Sequence, residues 1–352
     1  MFELLEDRRM LATWSGDIPN GTVWTNTEVQ QIIGDARVPP GATLTIQPGT
    51  MVKFNEFAGI DLLVEGRLLA SGTTAQPIVF TSFRDDTGLD GILGNGDDQD
   101  SNANGPSNGG NGDWNAVQFL AGGTGSVLDH VQVRYGGSGA LAALVASVPM
   151  TLTNSVVRNS ITSGVRLQTS SSTLTSNVFQ NNSVAAISMD LASNPAISGV
   201  TVTNNGSNAL VLDKGTLVGN GFWNDPDVVY RLTGDVTVPV GSTLTVGAGQ
   251  IVKFRTFSED DLLVDGTLIA HGTAAQPILF TSDRDDSAGG DTNNNGITVG
   301  GNGDWNAIQL RSGSSGHIFD NVEIRYGGNS HAGGSNTAAL VASVPMTLKL
   351  GS

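Results

Sequence analysis

Two stretches of this 352-residue sequence carry acidic and amide side chains at a spacing suited to a hard cation. The first runs Arg84-Asp85-Asp86, then 13 residues, then Asp100-Ser-Asn102-Ala-Asn104-Gly105, and ends at Gly112-Asp113-Trp114. The second runs Arg284-Asp285-Asp286, then four residues, then Asp291-Thr-Asn293-Asn-Asn295-Gly296, and ends at Gly303-Asp304-Trp305. All nine extra residues of the first stretch therefore lie between Asp86 and Asp100, and the Asp-x-Asn-x-Asn-Gly element is unbroken in both. Alternating Asp and Asn oxygens that end in a turn glycine can converge on one ion, and calcium takes about six to eight oxygens in flexible geometry. The expected ligands are Asp85, Asp86, Asp100, Asn102, Asn104 and Asp113, and in the second stretch Asp285, Asp286, Asp291, Asn293, Asn295 and Asp304.

The spacing matches positions 1, 3, 5 and 6 of an EF-hand-like loop and departs at position 12, where Asn111 and Asn302 replace a bidentate Glu. The Asp pairs, or Asp113 and Asp304, would have to supply the missing carboxylates. The same composition also suits a solvated loop selected for turn backbone angles.

Proton-transfer chemistry would need a base, and the basic residues that recur are Lys53 and Lys253, and Arg134 and Arg325. The two arginines are the weak catalytic candidates. The plainer expectation makes them outward strand residues paired with Asp129, Asp320 or Glu323, and turns both lysines outward between apolar neighbours. Trp114 and Trp305 could stack on a sugar or wedge against the side of the fold. Histidine offers no repeated site: His130 aligns with Asn321, His271 with Ser71 and His317 with Ser126, while His331 lies in an insertion. No Gly-x-Ser-x-Gly in a strand-turn-helix context appears, and the absence of cysteine removes disulfides, thiolate metal sites and thiol nucleophiles.

The elements that carry these residues are repeated. Val38-Pro-Pro-Gly-Ala-Thr-Leu-Thr returns at Val238, Met51-Val-Lys-Phe at Ile251, Asp61-Leu-Leu-Val-Glu-Gly at Asp261 and Gln76-Pro-Ile-Val-Phe-Thr-Ser at Gln276, each 200 residues on. The offset is 191 at Asn111-Gly-Asp-Trp-Asn-Ala and Arg134-Tyr-Gly-Gly, and 196 at Leu144-Val-Ala-Ser-Val-Pro-Met-Thr-Leu. A shorter period links Leu152-Thr-Asn-Ser-Val-Val-Arg-Asn159, Leu174-Thr-Ser-Asn-Val-Phe-Gln-Asn181 and Ile197-Ser-Gly-Val-Thr-Val-Thr-Asn204, 22 and 23 residues apart. Strand, turn, strand and loop at that spacing predict a parallel β-solenoid, of about 11–13 coils here. Alternation along Val131-Gln-Val133-Arg-Tyr135 sends apolar side chains inward. Asn159, Asn181 and Asn204 are expected at a corner, where Asn tolerates left-handed backbone and its amide can bond along the stack.

Composition agrees. Glycine is abundant at 47 residues, apolar residues make up 38% and charged ones 14%, which favours strands and turns over helices or charge-driven disorder. A net charge of −16 argues against nucleic acid as a partner, and no apolar run reaches the length of a membrane span.

Together these motifs resemble the right-handed parallel β-helix family of secreted bacterial proteins, whose fold is that of the pectate lyases. The resemblance covers roughly residues 20 to 348. It implies fold far more than activity, because the superfamily holds lyases, hydrolases, epimerases and adhesins. Family hydrolases resembling polygalacturonases carry Asn-Thr-Asp, Asp-Asp and Gly-His-Gly; only Asp-Asp occurs here, at 85–86 and 285–286. Family lyases use calcium held by aspartates with an Arg or Lys base, which would assign that role to Arg134 or Arg325.

At the N-terminus, Leu5-Glu-Asp-Arg-Arg-Met-Leu11 resembles the Leu-Glu-x-Arg-x-Leu-Leu signature of large exported planctomycete proteins, with Met10 in place of one Leu. The expected organisation is a disordered export or sorting segment over 1–18 and a single β-helix over 19–352. That β-helix would comprise a long repeat, about 19–221, and a truncated one, about 222–352. Because the second repeat stops early, end-on contact with a missing C-terminal region is expected. The expected function is that of an exported, calcium-stabilised, non-catalytic structural or carbohydrate-binding module of a larger extracellular protein. It would sit outside the cell or on its surface, with an extracellular polysaccharide or surface component as partner. A polysaccharide lyase or hydrolase acting on an acidic polymer is the alternative.

Overall fold

The β-branched, period-two segments read above become strands that pair in parallel with strands of the neighbouring coils, and among the described residues no hairpin pairing occurs. The computed structural model describes residues 10–56, 59–94, 100–103, 105–256, 260–328 and 338–349. The chain divides into two compact units, 1–184 and 185–352. This division does not coincide with the repeat boundary near 221. Among the described residues no helix is long and apolar enough to cross a membrane.

In the first unit three ladders wind along the coils. One joins Glu28–Val38, Met51–Phe54, Ile78–Ser82, Val131–Arg134, Val156–Arg158 and Val178–Gln180. A second joins Thr22–Trp24, Thr43–Ile46, Arg67–Ser71, Ser126–Asp129, Met150–Thr153 and Thr173–Thr175. The third joins part of Glu28–Val38 to Leu62–Val64, Val117–Phe119, Ala142–Ala146 and Ser163–Leu167. The second unit repeats the scheme; its first ladder runs Leu210–Leu212, Tyr230–Leu232, Ile251–Phe254, Ile278–Ser282 and Val322–Ile324.

Register fixes which rows face inward. Val52, Phe80, Val133, Val157 and Phe179 are successive partners and all fully buried, forming one apolar row of the core. The adjacent row points outward: Gln31 pairs with Lys53 and Lys53 with Thr81. Arg134 follows, one step beyond the Val133–Phe80 partners. In the second unit the same row reads Arg231, Lys253, Thr281 and, beyond Ile324, Arg325.

The corner asparagines hold in backbone: φ is 60° at Asn159, 56° at Asn181 and 54° at Asn204, a left-handed turn that Asn adopts at little cost. The inter-coil amide bonds fall to different residues. Asn177 accepts from Ser155 N at 3.0 Å and donates to Leu152 O at 2.8 Å. Asn182 accepts from Ser160 N and donates to Val157 O, both at 3.1 Å. Both are fully buried, so each satisfies two backbone groups that water cannot reach. The disordered leader expected over 1–18 gives way by Met10 to the strand Met10–Asp17, which pairs with Glu28–Val38. Most of the Leu5–Leu11 signature lies outside the described residues.

Candidate functional site

Residues 82–113 and 282–304 leave the coil as lateral loops that lie over the outward row. Each loop is pinned at both ends. At its exit Ser82 Oγ donates to Asp113 Oδ2 at 2.7 Å, and Ser282 Oγ to Asp304 Oδ2 at 2.7 Å. At its return Trp114 and Trp305 stack on Phe54 and Phe254 with centroids 4.0 Å apart, and their indole N–H groups donate to the carbonyls of Arg134 and Arg325. Both tryptophans are fully buried, so they wedge the loop against the coil and present no face to a sugar.

Beneath the first loop the Asp pair meets the cationic row. Arg134 is fully buried. Its Nη1 lies 3.2 Å from Asp85 Oδ2, and the guanidinium also donates to Thr87 Oγ1, Gly88 O, Leu89 O and Gln132 Oε1. Asp85 Oδ1 accepts from the Thr87 N–H and hydroxyl, and Oδ2 from Thr81. Burial pushes the Asp85 carboxyl upward, but Arg134 and these hydrogen bonds outweigh it and hold the group below its usual value. Lys53 Nζ, also fully buried, lies 3.6 Å from Asp86 Oδ1, while Asp86 Oδ2 accepts from Ser107 N and Oγ. Here burial wins and the Asp86 carboxyl is raised.

The second loop is arranged in the same way but is more open around its arginine. Arg325 Nη1 lies 3.3 Å from Asp285, and its Nε and Nη2 clasp Glu323 at 2.7 and 2.9 Å. Lys253 donates to Gly290 O at 2.9 Å, and Asp286 Oδ2 accepts from Thr298 N and Oγ1. The sequence expectation for these cations holds at Arg325, which binds Glu323, and is corrected at Arg134. Arg134 pairs with Asp85 across the loop, whereas Asp129 is occupied by Thr153 and Asn154. Lys53 and Lys253 do point away from the core, but the loops bury them.

Most of these carboxylates are already committed to donors of the chain itself, while Asp286 Oδ1 and Asn293 Oδ1 are buried without a hydrogen-bond partner. Asp85, Asp113, Asp285 and Asp304 accept hydrogen bonds from N–H and O–H donors and face guanidinium groups, an environment that already supplies positive charge. Asp86 Oδ1, which has no hydrogen-bond partner, faces the Lys53 ammonium. Asp100 accepts from Gly105 N, and Asp291 from Asn295 N and Gly296 N, so each closes its own turn. Asn102 donates to Phe83 O at 3.4 Å. Asn104 lies outside the described residues. Among the described residues no three acidic or histidine side chains converge as a metal site. His317, a buried strand residue, accepts from Leu268 N and bonds Ser314, a structural part.

The buried lysines carry a pH signature. Burial pushes Lys53 and Lys253 down from 10.5 to about 8, with Asp86 and Asp286 opposing only in part. Between those two values the unfolded chain binds more protons than the folded one, so unfolding free energy rises with pH across that window. Denaturant midpoints measured from pH 7.5 to 10.5 are expected to climb, and the climb is expected to vanish in the Lys53→Met/Lys253→Met variant.

Comparison with known proteins gives the same architecture. Residues 215–341 match a family described as a pectate-lyase like beta helix domain, and residues 118–232 one described as a right handed beta helix region. The chain is similar in structure to the A-module of a mannuronan C-5 epimerase from Azotobacter vinelandii. That match has 11% identity and a TM-score of 0.37, over 97% of this chain and 88% of that one. No curated protein matches. The fold is a right-handed parallel β-helix.

Proposed function

We propose that the chain is an exported, non-catalytic β-helical module that serves as a structural or binding part of an extracellular or cell-surface protein. The observation that carries this reading is the internal use of the duplicated basic residues. An Arg base must reach substrate and shed a proton. Arg134 is sealed under its loop, with a carboxylate, an amide, a hydroxyl and two carbonyls as partners. Arg325 holds two carboxylates. Lys53 and Lys253 are buried against the Asp pairs and serve the loops in the same way. The export half of the reading rests on the sequence resemblance at Leu5–Leu11 and on the secreted family.

The test is release of unsaturated product from a panel of polyuronates, with added calcium and with chelator. No product in either condition is expected. Calcium-dependent product that disappears in Arg134→Lys or Arg325→Lys, with folding retained by circular dichroism, would establish the lyase reading instead.

A further inference from the structure

The net charge of −16 is not spread evenly, and one cleft of the second unit is lined with cations. Arg231, Arg255 and Arg284 line an open cleft of about 550 Å³, together with the carboxylate of Asp283 and with Thr256, Asn293, Asn295 and Thr298. Each guanidinium is held from behind by a carboxylate. Arg231 donates through Nε and Nη2 to Asp283 Oδ2 at 3.3 and 2.8 Å, and Asp283 is itself fixed by the Thr256 N–H and hydroxyl. Arg255 binds Asp260 through two parallel bonds, 2.9 and 3.0 Å long. Arg284 Nη1 lies 3.6 Å from Asp304 Oδ1.

Exposure is distributed unequally within these pairs. The arginine side chains are 17%, 42% and 36% exposed and their carboxylates only 5%, 5% and 4%. The arginines are therefore the more accessible partner of each pair, on side chains held in place by their carboxylates, and only Asp283 of the three carboxylates borders the cleft. Such preorganised guanidinium groups suit oxyanions, since their planar forks bond two oxygens at once.

The internal duplication shows that this is not an inherited background feature. At the positions 200 residues earlier, Gln31, Asn55 and Phe83 stand where Arg231, Arg255 and Asp283 stand, and only Arg84 matches Arg284. Gln31 Nε2 there donates to Asn55 Oδ1 at 2.7 Å, a neutral pair in the same place on the coil. The fold thus accepts neutral residues at these sites. The second copy differs at both arginines and at both carboxylates that hold them, Asp283 and Asp260, where the first copy has Phe83 and Ile60.

We infer that this cleft binds a tetrahedral oxyanion, a sulfate or phosphate group carried on a small polar molecule. Three guanidinium groups on one cleft match the three outward oxygens of such an ester, whereas a carboxylate offers two. The amides of Asn293 and Asn295 and the Thr298 hydroxyl supply polar lining for the rest of the ligand. This site borders the second loop, where Thr298 bonds Asp286, and does not depend on the non-catalytic reading above.

The test is calorimetric titration of the whole chain with inorganic sulfate, inorganic phosphate and acetate at constant ionic strength set with sodium chloride. Saturable binding of sulfate or phosphate, at least about tenfold tighter than acetate, is expected, a gap of about 1.4 kcal/mol. Whichever of the two binds more tightly identifies the ester. The variant Arg231→Gln/Arg255→Asn/Asp260→Ile/Asp283→Phe, which installs the residues of the first copy at both pairs, is expected to lose at least tenfold in affinity. Arg255→Asn alone, at the most exposed position, is expected to lose severalfold and serves if the quadruple variant does not fold. No saturable binding of either tetrahedral anion overturns the inference, as does binding unchanged in Arg255→Asn or acetate bound as tightly as sulfate.

Discussion

Replacing Arg134 with Met is expected to cost about 3–5 kcal/mol of folding stability, the usual consequence of removing one partner from a buried ion pair. The substitution strands the Asp85 carboxylate in a fully buried place, and it removes the donors that satisfy the carbonyls of Gly88 and Leu89. Denaturant unfolding measures the loss. Adding Asp85→Asn should return a good part of it, because a neutral amide no longer pays for an unpaired buried charge. The equivalent Arg325→Met should cost far less, about 1 kcal/mol, since that side chain is 33% exposed and water can take over. Equal losses at the two positions would show that burial is not what sets the energy of this pair.

Trp114→Ala is the second large effect, at about 3–5 kcal/mol, as for other buried Trp or Phe truncations. It removes the ring stacked on Phe54 and the donor to Arg134 O. Because Trp114 closes the loop that covers Lys53 and Arg134, the cavity opens onto two buried cations as well as onto the core. Trp114→Phe keeps most of the apolar volume but leaves the Arg134 carbonyl unpaired, and a loss of about 1–3 kcal/mol is expected. Thermal and denaturant unfolding of the pair separates packing from the hydrogen bond.

The fold was legible because its signals are periodic. Leu152, Leu174 and Ile197 mark a coil length, and alternation through Val131–Tyr135 tells which side chains enter the core. The site was legible only in part. Alternation placed Lys53 and Arg134 outward, and outward usually means solvated; nothing local in Met51–Phe54 says that a loop from residues 82–113 will cover the row. The Asp/Asn/Gly spacing describes turns that Asp100 and Asp291 close on themselves, whereas the cations come from the strands, as an ammonium or guanidinium, and meet the Asp pairs. Spacing describes one segment, and the partner arrives from another. The arginine cleft escaped because its residues are scattered from 231 to 298. The signal that could have found it was the difference between the copies, Gln31, Asn55 and Phe83 against Arg231, Arg255 and Asp283.

The pinning of each lateral loop at both ends has a consequence for how the chain can change. Ser82–Asp113 and Ser282–Asp304 have the same 2.7 Å bond, and the Phe–Trp stacks the same 4.0 Å separation, although the first loop holds nine more residues between its Asp pair and its Asp-x-Asn turn. Length is therefore uncoupled from anchoring. The entropy of closing a longer loop grows only slowly with its length, so added residues are tolerated between Leu89, whose carbonyl still holds Arg134, and Asp100. Foreign peptide could be carried there on the flank of the coil while the clasp beneath it stays shut.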